Sequence, residues 1–153
     1  MSVLKEKRNL STAEYVNLAS DIFDETLQFI SRVSSRYNRL MGADIIHLAG
    51  EVEDNCDAAN RVRPKSKAQF EYRERHLLEA LGATSALDVR MSKLYRIMMK
   101  NPQGCFTDTQ GRTVEASKAV QRLDNMAQSL GEKIDREMSL IQGVLNSDYS
   151  RRS

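Results

Sequence analysis

The sequence predicts an all-α fold, an antiparallel up-down-up-down bundle of four helices that forms a single domain over residues 1–153. Three observations favour this fold. Four stretches carry apolar residues at steps of three and four, the spacing that lines one face of a helix. Glycine and proline number only 7 and 2, as is typical of helix-rich proteins. A chain of 153 residues also has the usual size of one domain.

The first helix is predicted to begin at Ser11, after an aperiodic stretch at residues 1–10. Ser11 and Glu14 have the spacing of a capping box, in which a hydroxyl and a carboxylate satisfy amides left unpaired at a helix start. Apolar residues then recur every three or four positions from Tyr15 to Val33. Residues 1–10 are expected to form a flexible end.

Pro64 separates the second and third predicted helices. The second covers about residues 38–62, and the third opens at Ser66 and stops at Asn101. Because a proline disfavours the helical conformation of the residue before it, the linker from Arg61 to Lys65 is short, and short linkers connect antiparallel neighbours. At a rise of about 1.5 Å per residue, the third helix is about 50 Å long and needs partners along its whole length.

A polar loop at residues 103–112 precedes the fourth predicted helix. It contains Gly104 and Gly111, which favour turns. The fourth helix is predicted from about Thr113 to Asn146 and Ser147. Residues 148–153 are expected to form a second flexible, polar end.

The residues that usually carry catalysis do not form a recognisable motif. Cys56 and Cys105 are the only cysteines; they lack CxxC spacing, and packed thiols are expected. His47 and Glu51 stand four residues apart, but four-helix metal sites need Glu-x-x-His pairs on two helices. With no glycine-rich phosphate loop or serine elbow either, the sequence indicates a protein that is not an enzyme and has no metal or cofactor.

The polar start and the short apolar runs predict a cytoplasmic protein without a membrane contact. No apolar leader segment follows Met1 to Arg8. The longest apolar runs are well below the roughly 20 residues that cross a bilayer.

Asp88 breaks the apolar pattern of the third helix. At about 100° per residue it falls inside the apolar arc, between Leu81 and Tyr95. A buried carboxylate needs a partner, so an ion pair with Arg122 or Arg73 is expected to fix the helix register. A functional role of Asp88 is the less favoured alternative.

Charge is divided unevenly along the chain, although the net charge is only +2. Residues 11–60 carry 3 Lys or Arg and 9 Asp or Glu, whereas residues 61–100 carry 10 and 4. Cations of the third helix and the linker before it are predicted to face outward, where they could neutralise successive phosphates. The predicted nucleic-acid-binding residues are Arg61, Arg63, Lys65, Lys67, Arg75, Arg90, Lys93, Arg96 and Lys100.

The same charges leave two alternatives open. In the first, the helix face is merely solvated, since Glu71, Glu74 and Glu79 interrupt the cations. In the second, the acidic faces of the first two helices meet the basic third helix of a neighbouring copy, which produces a head-to-tail homo-oligomer. Such an oligomer is compatible with nucleic-acid binding.

Four local features are spread along the chain. They are the start MSVLKEKRN, the sequence Ala58-Ala59-Asn60, the spacing of Arg73, Ala80 and Leu87, and Ser147-Asp148 followed by basic residues. Together they resemble four-helix bundle proteins related to the accessory variability determinant of diversity-generating retroelements and to ribosomal-RNA intervening-sequence proteins. The resemblance implies an up-down-up-down bundle that assembles as a homopentamer and binds RNA or DNA and a reverse transcriptase through basic surface.

The chain departs from that family in three respects. Its net charge is only +2, it contains no tryptophan, and the loop at residues 103–112 is longer than the usual turn. The favoured function is a non-enzymatic, oligomeric nucleic-acid-binding accessory protein that assists the reverse transcriptase of a mobile element. The alternative is a protein-interaction or scaffold bundle that binds no nucleic acid.

Overall fold

The computed structural model describes residues 13–152. Over these residues the fold is all-helical, and four helices pack against one another. The helices are α1 (Glu14–Arg32), α2 (Ser35–Tyr37, the π-helical turn Asn38–Gly42, and Ala43–Arg61), α3 (Lys67–Lys100) and α4 (Ala116–Arg152). The prediction of an all-α fold with four helices is therefore confirmed for the described part of the chain.

The start of α3 follows from its first residues. The Ser66 hydroxyl accepts a hydrogen bond from the backbone N–H of Gln69 at 3.3 Å, and the Gln69 side chain accepts one from the backbone N–H of Lys65 at 2.7 Å. These bonds satisfy amides that a helix start leaves unpaired, as the sequence predicts. The corresponding prediction for Ser11, and that of a flexible end at residues 1–10, lie outside the described residues.

The core consists of two apolar clusters stacked along the helices. One surrounds the fully buried Ile22, Ile45 and Leu94, and the other surrounds Leu77 and Leu145. A buried side chain of this size contributes about 1.5–3 kcal/mol to folding. Cys56 lies in the second cluster and is a packed thiol, as predicted, and Cys105 is buried as well.

The connection from α3 to α4 is part of the core rather than a free loop. Phe106 is fully buried and packs edge-on against Phe29, with the ring centroids 5.5 Å apart. The backbone N–H of Thr107 donates to the carbonyl of Arg32 at 2.9 Å. Gly104 and Gly111 have φ values of 80° and 78°, which residues with a Cβ rarely adopt.

The end predicted for the fourth helix, near Asn146 and Ser147, is wrong. α4 continues to Arg152, and Asp148 is buried instead of opening a polar tail. The reason is an ion pair: the Asp148 carboxylate accepts hydrogen bonds from Arg73 on α3. A polar residue that suggests a solvated end is here satisfied inside the protein.

Polar side chains join the helices at defined levels. The hydroxyl of Tyr15, near the start of α1, lies 3.5 Å from Asn60 Oδ1, near the end of α2. Arg90 on α3 reaches Asp44 on α2 at 3.1 Å.

Within residues 13–152 no helix is long and apolar enough to span a membrane.

Candidate nucleic-acid interface

All nine predicted nucleic-acid-binding residues are exposed, but they do not form one continuous track. The linker cluster consists of Arg61, Arg63, Lys65 and Lys67, where α2 ends and α3 begins. The second group, here named the α3-end cluster, consists of Arg90, Lys93, Arg96 and Lys100. Arg75 stands between them. At about 1.5 Å per residue, Lys93 lies about 27 Å along the helix axis from Arg75.

Three of the nine cations already have a carboxylate partner. Arg61 contacts Asp57 at 2.8 Å, Arg90 contacts Asp44 at 3.1 Å, and Lys67 lies 3.8 Å from Glu71. Exposed pairs of this kind contribute little to stability, but they reduce the charge that a ligand meets. The other six of the nine have no ion pair with any residue from 13 to 152; they are Arg63, Lys65, Arg75, Lys93, Arg96 and Lys100.

An open cleft of about 360 Å³ lies at the linker cluster. The backbone of Val62 is extended, which ends α2. Arg63 and Lys65 line the cleft together with Arg151 from the end of α4. The cleft is therefore bordered by cations from two distant parts of the chain.

A buried ion pair holds this end of the bundle together. Arg73 Nε donates to Asp148 Oδ2 at 2.8 Å, and Arg73 Nη2 donates to Asp148 Oδ1 at 3.2 Å. Arg73 Nη1 also donates to the carbonyls of Ala59 and Val62, at 2.9 and 3.0 Å. Burial acts to raise the pKa of Asp148, but the hydrogen bonds and charges of Arg73 and Arg151 outweigh it and hold that pKa below its ordinary value.

Sequence reasoning missed two cations beside the linker cluster. The guanidinium groups of Arg151 and Arg152 both lie 5.7 Å from the ring centroid of Phe70. Arg151 also contacts Asp148 at 2.7 Å, and Arg152 contacts Glu74. The basic residues after Asp148 could have indicated them. They become part of the site because α4 continues to Arg152.

The prediction that Asp88 is buried and paired is wrong. Asp88 is exposed at the edge of a groove between α3 and α4. Its neighbour Leu87 occupies the buried position instead, since one residue turns a helix by about 100°. Neither proposed partner meets it: Arg73 pairs with Asp148, and Arg122 lies over the ring of Phe106 at 5.1 Å.

A second buried acid, Glu137, was also missed. It is 0% exposed, and the Cys56 thiol donates to its Oε2 at 3.7 Å, while Oε1 has no hydrogen-bond partner in the described part of the chain. Burial raises the pKa of Glu137 to about 8, although the bond from Cys56 acts in the opposite direction. Burial also raises the pKa of Cys56, so this thiol stays protonated.

Over residues 13–152, no cluster of three His, Cys, Asp or Glu residues could hold a metal ion.

Comparisons with protein-family models, curated protein sequences and solved structures find no match for this chain.

Proposed function

We propose that this chain is a non-enzymatic, up-down-up-down helical bundle that binds the phosphate backbone of nucleic acid at the linker cluster. The topology is supported by the contacts Tyr15–Asn60, Arg90–Asp44 and Arg73–Asp148, each of which joins the early part of one helix to the late part of another. The homopentamer and a reverse-transcriptase partner are supported by the resemblance alone.

One observation carries the binding proposal. Arg63 and Lys65 are exposed, have no ion pair among residues 13–152, and border one cleft with Arg151. The buried Arg73–Asp148 pair fixes the ends of α2, α3 and α4 around that cleft. Exposed cations on a rigid frame suit phosphates, whose neutralisation releases counterions and favours binding without reading the base sequence.

The α3-end cluster is a second candidate for phosphate contact. Lys93, Arg96 and Lys100 are exposed and without an ion pair within the described range. Their shallow surroundings include Ile97 and Met99, so part of this surface is apolar. Such a surface suits a protein contact as well as a phosphate, and we expect a smaller contribution to nucleic-acid affinity than from the linker cluster.

The alternative, a protein-interaction bundle without nucleic-acid binding, is supported by apolar residues on the outer side of α3. Leu78 and Val89 are 46% and 55% exposed. They lie on the same side of α3, three helical turns apart, so a protein that packs along this side would cover both.

Salt-dependent binding tests the proposal. The double variant Arg63→Gln and Lys65→Gln is compared with the wild type on a short RNA duplex and a short DNA duplex at several salt concentrations. We expect wild-type affinity to fall steeply with salt, and the variant to bind more weakly with a shallower dependence, by about 0.9 per lost phosphate contact in the logarithmic slope for DNA.

A charge-matched control separates local contacts from net charge. Lys133→Gln and Arg136→Gln remove the same two charges from α4, where both cations contact acids of α1. The control should keep the wild-type slope. A wild type that binds neither duplex at low salt would contradict the proposal, as would an equal loss of affinity in both double variants.

A further inference from the structure

The outer face of α3 is left uncovered over its middle. Leu77, Ala80 and Leu87 point into the core, whereas Leu78, Gly82, Ser85 and Val89 lie on the opposite side. A Cβ placed on Gly82 would meet no described atom within 4 Å. This face, with its apolar and small residues, therefore has no partner within residues 13–152.

The spacing of the residues along this face is the same when it is read from either end, although the residues at matching positions differ. Each position has a counterpart equally far from the midpoint between Ala83 and Thr84. The face consists of Lys67, Glu71, Glu74, Leu78, Gly82, Ser85, Val89, Lys93, Arg96 and Lys100. In an antiparallel pair of identical helices, residues equally far from the midpoint face each other, and two-fold symmetry makes every contact twice.

The residues that would meet are complementary. Leu78 of one copy faces Val89 of the other, and Glu71 faces Arg96. At the centre Gly82 faces Ser85, and such small residues let two backbones come close. Apolar contacts thus lie inside and ion pairs outside, the usual arrangement of a protein interface. We propose that two copies of this chain associate through antiparallel pairing of their α3 outer faces.

Existing contacts leave Glu71 available for this pairing. Its interaction with Lys67 spans 3.8 Å between two well exposed side chains, so it is weak. Glu74 also faces a cation in the pair, Lys93, but it already contacts Arg152 in its own chain. The ion pair between Glu71 of one copy and Arg96 of the other should therefore decide the register and the direction of the two paired helices. A parallel pair would instead place each charge opposite its own kind.

The acidic face of α2 is a weaker partner for α3. Asp44 and Asp57, two acids of that helix, already contact Arg90 and Arg61 in their own chain. The head-to-tail contact predicted from the charge distribution would have to break these pairs. The α3–α3 contact breaks neither of them.

The pairing also places like charges together at both ends. Lys67 of one copy faces Lys100 of the other, so the linker cluster of one copy continues into the α3-end cluster of its partner. This consequence rests on the proposed function, since a phosphate bound there would offset the repulsion. By reciprocity, a duplex that binds this surface should strengthen the dimer, and the dimer should bind the duplex more tightly than a single chain does.

Molar mass in solution tests the pairing first. Across a range of concentrations, light scattering should show a concentration-dependent approach to the mass of two 17.4 kDa chains. The variant Leu78→Gln, Val89→Gln should raise the dimer dissociation constant by at least about tenfold, since both apolar contacts across the interface, made by four side chains, are weakened. Leu27→Gln is the matched control, because Leu27 on α1 is 45% exposed, almost the same fraction as Leu78.

Charge exchange tests the direction and register. Glu71→Arg and Arg96→Glu should each shift the protein toward single chains, because like charges would then face each other. An equimolar mixture of the two variants should dimerise again, since each chain offers the charge that the other needs. Single chains or five-chain particles in the wild type, a control that weakens like the double variant, or a mixture that stays monomeric would overturn the pairing.

The outcomes also separate the pairing from the proposed function. Arg63→Gln, Lys65→Gln should keep the mass of two chains and lose duplex affinity. Leu78→Gln, Val89→Gln should lose that mass and retain weaker, salt-dependent binding through the linker cluster of each chain. A dimer that binds no duplex would refute only the proposed function, and a monomer that binds a duplex would refute only the pairing.

Discussion

Two buried carboxylates on α4, Asp148 and Glu137, lie in opposite electrostatic environments. Asp148 accepts hydrogen bonds from Arg73 and Arg151, and its pKa is lowered. Among residues 13–152 the hydrogen-bond partner of Glu137 is the thiol of Cys56, and burial raises the pKa of Glu137 to about 8. Burial alone therefore does not decide whether an acid is charged in this bundle. The partner decides it, so one site stabilises an anion and the other a neutral acid.

The largest effect is expected from removing the buried partner of Asp148. Arg73→Met would leave the Asp148 carboxylate with the more exposed Arg151 as its cation, and it would take one donor from each of the carbonyls of Ala59 and Val62. Breaking a buried pair in this way costs about 3–5 kcal/mol of the free energy of unfolding. Urea unfolding at neutral pH measures this loss.

A second substitution shows whether the loss comes from the stranded charge. Arg73→Met combined with Asp148→Leu removes both charges, and apolar replacements of a buried pair are often neutral. The double variant should therefore be more stable than Arg73→Met alone. If it is equally unstable or less stable, the carbonyl contacts of Arg73 matter more than the charge of Asp148.

Glu137→Gln tests the other half of the comparison and should stabilise the protein at high pH. The folded pKa of about 8 lies above the ordinary value of 4.5, so the folded state holds this proton more tightly than the unfolded chain. The resulting stability is complete below about pH 4.5 and is lost as the pH rises through about 8. The wild type should thus weaken between pH 5 and 9 relative to Glu137→Gln, by about 1–3 kcal/mol if the anion becomes as costly as other unsatisfied buried groups.

The measurement is the free energy of unfolding of both proteins at pH 5, 7 and 9. Glu132→Gln, at an exposed position of α4, controls for the change of one charge. Parallel pH profiles for the wild type and Glu137→Gln would show that Glu137 keeps its ordinary pKa in the folded protein, against our expectation.

Much of the fold follows from the sequence, because apolar spacing and helix starts are local. The four apolar stripes, the cap at Ser66 and the linker at Pro64 each depend on residues a few positions apart. The π-helical turn Asn38–Gly42 is different: it is accompanied by a bond from the Asn38 side chain to the carbonyl of Ile30, which periodicity does not reveal. Local patterns thus predict elements better than their irregularities.

The buried polar residues were harder to predict because their partners are distant in sequence. Arg73 shares the stripe of Leu77 and Ala80, which marks it as buried, but its acid lies 75 residues further on. Asp88 directly follows Leu87 of that stripe, and for this reason the sequence pattern wrongly predicts that Asp88 is buried. Glu137 stands three residues after Ile134 and four before Ile141, so the stripe of α4 alone could have indicated its burial.

The smallest effect is expected from Asp148→Asn at low pH. The quantity measured is the difference in the free energy of unfolding between the wild type and the variant, compared at neutral and at low pH. The folded pKa of Asp148 is lowered below 3.8, so its pairing stabilises the protein above that pH and is lost as the pH falls through the folded pKa. Asp148→Asn lacks this loss, because its amide does not titrate. On acidification from about pH 5, the wild type should therefore approach the stability of the variant, which is lower at neutral pH since Arg73 then lacks its anion. Asp44→Asn, on the exposed pair with Arg90, should differ from the wild type by no more than about 1 kcal/mol at either pH. If the gap between wild type and Asp148→Asn stays constant down to pH 3, the carboxylate of Asp148 contributes through packing and hydrogen bonds rather than through its charge.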